Sequence, residues 1–145
     1  MFYSKFYIDN REFLLYNGII MTFQEVKSMT SKELALKIAK VLDDHKANDI
    51  KVLEVADITT IADYFVICSG NSSTHIKSLS GEVEYELGQL GVTLSHNEGV
   101  STATWIVKDY ITVVVHIFGK EADEFYRLEH LWADAKNIEF ESTDN

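Results

Sequence analysis

The 145-residue chain contains no proline and one cysteine, Cys68. The absence of proline rules out rigid proline-rich linkers and cis-proline turns. A single cysteine excludes an internal disulfide framework and a cysteine-based zinc cluster, and it fits a reducing compartment. Basic charge is scarce as well: 13 Lys and Arg stand against 23 Asp and Glu, a formal net charge of −10. Binding along a phosphate backbone needs cations that displace counterions, so this chain has the wrong sign for it. An acidic surface either steers a basic partner into contact or only keeps the chain dissolved. The apolar stretch from Phe13 to Phe23 is too short to span a bilayer.

What is present describes an ordinary globular composition, 46% hydrophobic and 25% charged, at a length that suggests one domain with a self-sufficient core. Residues 1–29 are electrically neutral, with Lys5, Arg11 and Lys27 against Asp9, Glu12 and Glu25. Their early charges are mixed and no small-residue cleavage site follows, unlike a signal peptide. They are expected to be a poorly ordered extension, or to reflect a start placed too early, with Met21 and Met29 as alternative starts. The domain is expected over residues 30–137, with an acidic, frayed tail over 138–145.

Thr30-Ser31-Lys32-Glu33 has the form of a capping box, and Leu34, Ile38, Val41 and Leu42 follow at helical spacing, which predicts a helix over about 31–45. Residues 51–56 and 64–68 read as strands. Asn71 to Ser73 cap a second helix whose stripe is Ile76, Leu79, Val83, Leu87 and Leu90, stopped by Gly91. Further strands are expected near 92–97, at 104–109 and at 112–118, and a last helix over 121–132 with Phe125, Leu128, Leu131 and Trp132 inward. The order α-β-β-α-β-β-β-α predicts an α/β fold, a mixed sheet of about five strands flanked by helices. With a two-residue turn at Tyr110-Ile111, Asp109 would face Thr112, Val107 would face Val114 and Trp105 would face His116, all six on one face.

No catalytic set emerges. The histidines (His45, His75, His96, His116 and His130) lack paired metal-ligand spacing, so no metal site is expected. Cys68 sits in an apolar run and reads as an inert small hydrophobe. Ser69-Gly70-Asn71-Ser72 precedes a helix, a place where phosphates bind well. It is weakly similar to the Gly-Ser opening of nucleotidyltransferases, but no Asp-x-Asp pair follows it to hold magnesium. Trp105 is a binding anchor or core packing. Asp109 suits turn geometry by itself, and His116 inside its apolar run reads as a satisfied structural histidine. Tyr126 and Glu129 face outward from the last helix. A nucleotidyltransferase-like enzyme and a generic acidic adaptor stand as alternative functions.

The series Asp63-Tyr64-Phe65-Val66-Ile67 to Gly70, Glu98-Gly99, Trp105 to Asp109, Val115-His116-Ile117-Phe118 and Phe125-Tyr126-x-Leu128-Glu129-x-Leu131-Trp132 resembles the ribosomal silencing factor (RsfS, or Iojap) family over roughly residues 30–136. The resemblance implies a nucleotidyltransferase-like fold without catalytic carboxylates, no cofactor and no turnover. It implies a cytoplasmic repressor of translation that docks on large-subunit ribosomal protein fourteen (uL14) and blocks joining of the small subunit when nutrients are scarce. A homodimer is also implied. Partner contact falls to Trp105, Asp109, Tyr126, Glu129 and His116. Three positions depart from the family's pattern: Thr104 and Ile111 replace glycines, and Asp123 replaces an arginine. Ile111 is expected to resist a positive φ and so to alter the hairpin turn.

Overall fold

The computed structural model of the chain describes residues 3–16, 19–22, 29–119, 128, 130 and 133–142. Its centre is a six-stranded mixed sheet with two helices against it. The helices are α1 (Ser31–Asp44) and α2 (Ser73–Gln89). The strands are β4 (Asn48–Glu54), β5 (Tyr64–Gly70), β6 (His96–Glu98), β7 (Trp105–Asp109), β8 (Val113–Gly119) and β9 (Lys136–Ile138), ordered β6-β7-β8-β5-β4-β9. β5 and β8 run parallel and the other neighbours are antiparallel.

The caps expected from the sequence form. The Thr30 hydroxyl accepts the Glu33 N–H at 3.1 Å and the Ser72 hydroxyl accepts the His75 N–H at 3.1 Å, each satisfying an orphan donor of its helix. Gly91 ends α2 with φ +81°, and the Val92 N–H returns to the Leu87 carbonyl at 2.9 Å, as a left-handed C-terminal residue allows. Leu34, Ile38 and Leu42 of α1 and Ile76, Leu79, Val83 and Leu87 of α2 are buried on one side of the sheet, against Val66, Cys68, Ile106, Val115 and Ile117. The alternate residues Leu53, Phe65, Ile67, Val114 and Phe118 build a second apolar cluster with Leu128 and Ala135. The parallel pair β5–β8 is therefore apolar on both faces, which is why both strands read as continuous hydrophobic runs.

Two features differ from the sequence expectation. β9 adds a strand from a segment assigned to no element: Lys136, Asn137 and Ile138 pair with Glu54, Leu53 and Val52. Three exposed or half-exposed residues carry too little periodicity to reveal it. Residues expected as an unstructured extension instead form a three-stranded antiparallel sheet of β1 (Tyr3–Ile8), β2 (Arg11–Tyr16) and β3 (Ile19–Thr22). Asp9 and Asn10 turn the first hairpin with φ of +50° and +64°, the geometry a two-residue hairpin loop needs. Phe6 and Phe13, cross-strand partners, stack at 5.5 Å.

Candidate functional site

The hairpin β7–β8 presents one face away from α1 and α2, on the side of the second apolar cluster. The pairs are Trp105 with Phe118, Val107 with His116 and Asp109 with Val114. The expected pairing of Trp105 with His116 is thus displaced by two residues. The tip lies at Ile111-Thr112 rather than Tyr110-Ile111, because Tyr110 belongs to the buried helix-side core and is drawn inward. A shift of two keeps the strand parity, so Trp105, Val107, Asp109, Val114 and His116 still share a face, with Phe118 in the place expected for Thr112.

On that face the Trp105 indole Nε1–H donates to His116 Nδ1 at 3.2 Å, a diagonal contact across the strands. The Trp105 ring stacks on Phe118 at 5.3 Å, and the Phe65 ring meets His116 edge-on at 4.8 Å. Trp105 is half-buried, whereas His116 is only 6% exposed. Burial lowers the His116 pKa to about 4, so the ring is neutral at pH 7. With Nδ1 accepting, the proton sits on Nε2, which is buried without a partner among the described residues. The result is a half-buried tryptophan fixed in orientation.

Asp109 serves the turn. Its Oδ1 accepts the Ile111 N–H at 2.7 Å. Ile111 takes φ +75° and the Thr112 N–H reaches back to the Tyr110 carbonyl at 3.0 Å, a γ-turn of the strained hand. The expectation that Ile111 would avoid positive φ is therefore corrected: the hairpin register forces it, and the Asp109 carboxylate holds the strained amide. Ala103, not Thr104, takes the positive φ (+51°) before the tryptophan strand. Gly99, with φ +83°, lies so close to Trp105 that a Cβ there would collide with the Trp105 carbonyl oxygen. The Glu98-Gly99 motif thus sets where the tryptophan strand begins.

The loop Ser69 to Ser72 is occupied by its own contacts. The Asn71 N–H donates to His75 Nδ1 at 3.0 Å, and Asn48 Nδ2 donates to Asn71 Oδ1 at 2.8 Å. The other ring nitrogen of His75 then donates to the His45 carbonyl at 3.0 Å, joining the start of α2 to the end of α1. Gly70 is needed for packing, since a Cβ there would meet Ile76 Cγ1 at 2.8 Å. Cys68 is fully buried, which pushes its thiol pKa far up. Among the described residues no three His, Cys, Asp or Glu side chains converge as metal ligands.

Sequence reasoning missed Lys108. It is fully buried on the helix side of β7 and donates to Ser80 Oγ at 3.0 Å, Glu84 Oε2 at 3.2 Å and Asn97 Oδ1 at 3.4 Å. Burial lowers its pKa and the Glu84 carboxylate opposes that. Its position in the alternation Ile106-Lys108-Tyr110 marked it as inward-facing. Leu128 is helical and packs against the second apolar cluster, and His130 is helical and exposed. Tyr126, Glu129, Asp123, Phe125, Leu131 and Trp132 lie outside the described residues.

Comparison with known proteins bears on the family of the chain. Residues 28–145 match the profile described as ribosomal silencing factor during starvation, RsfS. A ribosomal silencing factor RsfS of Bacillus subtilis is 36% identical over 107 residues, covering 74% of this chain and 91% of the relative. One from Halalkalibacterium halodurans is 35% identical over 113 residues, covering 78% and 97%. The chloroplastic Iojap protein of Arabidopsis thaliana is 29% identical over 137 residues, covering 89% of this chain and 57% of that protein. A crystal structure of a Bacillus halodurans protein superposes with a TM-score of 0.64 at 31% identity, covering 75% of this chain and 96% of that one. A Chromobacterium violaceum protein superposes with a TM-score of 0.63 at 25% identity, covering 86% and 98%. With its motifs in order, its α/β fold and a profile match over most of its length, the chain belongs to the ribosomal silencing factor family, RsfS.

Proposed function

We propose that this protein is a non-enzymatic, cytoplasmic repressor of translation. It binds the large ribosomal subunit through large-subunit ribosomal protein fourteen (uL14) and blocks joining of the small subunit by occupying its place when nutrients are scarce. Family membership over residues 28–145 carries the reading. The chain's own residues support it in two ways. Its charge of −10 disfavours direct contact with RNA and favours a basic ribosomal protein. Trp105, half-buried and held by His116 and Phe118, presents a pre-oriented aromatic anchor of the kind that dominates interface energetics. Asp109 and His116 act by shaping the hairpin and the tryptophan, while Tyr126 and Glu129 add to the contact.

The test is sedimentation of cell extract through sucrose gradients. Under starvation the protein is expected with the large-subunit fraction, and Trp105→Ala shifts it to the top of the gradient while its thermal unfolding stays cooperative. Wild-type protein absent from the large-subunit fraction would count against the proposal. The enzyme alternative would gain if magnesium with a nucleotide raised the melting temperature.

A further inference from the structure

The end of the sheet opposite Trp105 carries exposed side chains that the fold does not use. Ile111, at the hairpin tip, is 68% exposed, and Ile61 and Ile58, on the connection between β4 and β5, are 67% and 39% exposed. The two segments are fastened together: the Asp63 and Tyr64 N–H groups donate to the Thr112 carbonyl at 2.8 and 3.2 Å, and the Val55 N–H donates to the Asp63 carbonyl at 2.9 Å. The connection also has internal bonds from Ile58 and Thr59 to the Val55 carbonyl, both 2.9 Å, so the surface is pre-formed. Single exposed aliphatics are common and need no explanation, but three isoleucines on two segments fastened together at one end of the sheet concentrate apolar surface there.

We infer that this patch, formed by Ile58, Ile61 and Ile111, is a docking surface for a basic protein surface that receives Ile111 in an apolar socket, as a second contact on the large ribosomal subunit. The inference rests on the function proposed above. Three observations carry it. First, the two segments that carry the isoleucines also carry Asp57, Asp63 and Asp109, the Asp63 carboxylate accepting from the Ser31 hydroxyl at 2.9 Å, and neither 55–63 nor 109–112 contains a Lys or Arg. That charge fits a Lys- and Arg-rich protein and repels a phosphate backbone. Second, the patch continues the Trp105 face. Val107 and Asp109, half-buried on that face, lead along β7 to Ile111. Six residues of strand span roughly 20 Å, within the reach of a standard interface of about 800 Å² per partner. Third, Ile111 is β-branched at φ +75° and exposed, so its side chain adds nothing to the core while its backbone is strained. A glycine would suit the turn better, which leaves the isoleucine side chain to an external partner.

The experiment measures binding of the purified full chain to isolated large ribosomal subunits from the same organism. It compares wild type, the double variant Ile61→Ser with Ile111→Gly, and Asp57→Lys. The double variant is expected to bind roughly tenfold more weakly, the loss of a modest apolar anchor. Its melting temperature should be no lower than that of wild type, because glycine relieves the turn. Asp57→Lys is expected to bind several-fold more weakly and with a reduced dependence on salt. Wild-type affinity in the double variant overturns the docking surface alone. Tighter binding by Asp57→Lys also overturns it, since that sign means phosphate rather than a basic protein. No binding by wild type removes both this inference and the function on which it rests.

Discussion

His116 shows how one residue can serve packing and presentation together. Its Nδ1 holds the Trp105 indole at 3.2 Å, and its ring is buried enough to lower its pKa to about 4. An unfolded histidine titrates near 6.5. Between those values the unfolded chain binds more protons than the folded one, so stability rises with pH in that window. The contribution is complete above pH 6.5 and is lost as pH falls toward 4, an amount on the order of 3 kcal/mol. Thermal unfolding from pH 7 to pH 4 should show this slope, and His116→Phe should flatten it; parallel profiles for the two proteins would remove His116 as its source. Gly99 gives a second test at this scale. Gly99→Ala places a methyl against the Trp105 carbonyl oxygen in a backbone conformation that alanine resists. A loss of about 2 kcal/mol is expected in urea denaturation, and unchanged stability would contradict the packing.

At the scale of elements, the hairpin β7–β8 and its tether to α2 decide where the face points. Lys108 reaches from β7 to Ser80 and Glu84 on α2 and is wholly enclosed, whereas the Glu84 side chain is about half exposed. Removing the carboxylate leaves a buried ammonium with only neutral partners. Glu84→Ala should therefore cost on the order of 1–2 kcal/mol, less than a fully enclosed pair because water reaches Glu84. Lys108→Met should change stability by less than about 1 kcal/mol, since an apolar chain of similar length fills the same space. Denaturant midpoints of the two variants in the reverse order would refute this account of the tether.

Much at this scale was legible in the sequence. Capping residues and apolar stripes located α1 and α2, because burial of one helix face imposes a spacing that composition cannot hide. The buried parallel pair stood out as unbroken apolar runs. The hairpin register was less legible. Choosing Ile111-Thr112 over Tyr110-Ile111 as the tip depends on Tyr110 finding room beneath α2, a tertiary fact. The shared face of Trp105 and His116 was nevertheless readable, since a two-residue slip preserves alternation. β9 is too short to signal itself, and its pairing with β4 is long-range. The Asp9-Asn10 turn was a local signal that the neutral, aromatic composition around it obscured.

At the scale of the whole molecule, two apolar layers around the six-stranded sheet leave a solid scaffold, and the acidic charge gives that scaffold a preference among partners. Association with a basic partner should slow as salt rises, because steering between charges is screened over about 10 Å at 0.1 M. Stopped-flow binding to large subunits at two ionic strengths would show this as a change in the association rate more than in the dissociation rate. Family membership, the charge and the fixed tryptophan all bear on one physical claim, that the Trp105 face occupies a surface of the large subunit needed for subunit joining. Light scattering of small and large subunits mixed in the presence of the protein tests it most directly. The account predicts that stoichiometric wild-type protein suppresses association and that Trp105→Ala restores it. Full association in the presence of saturating wild-type protein would contradict it.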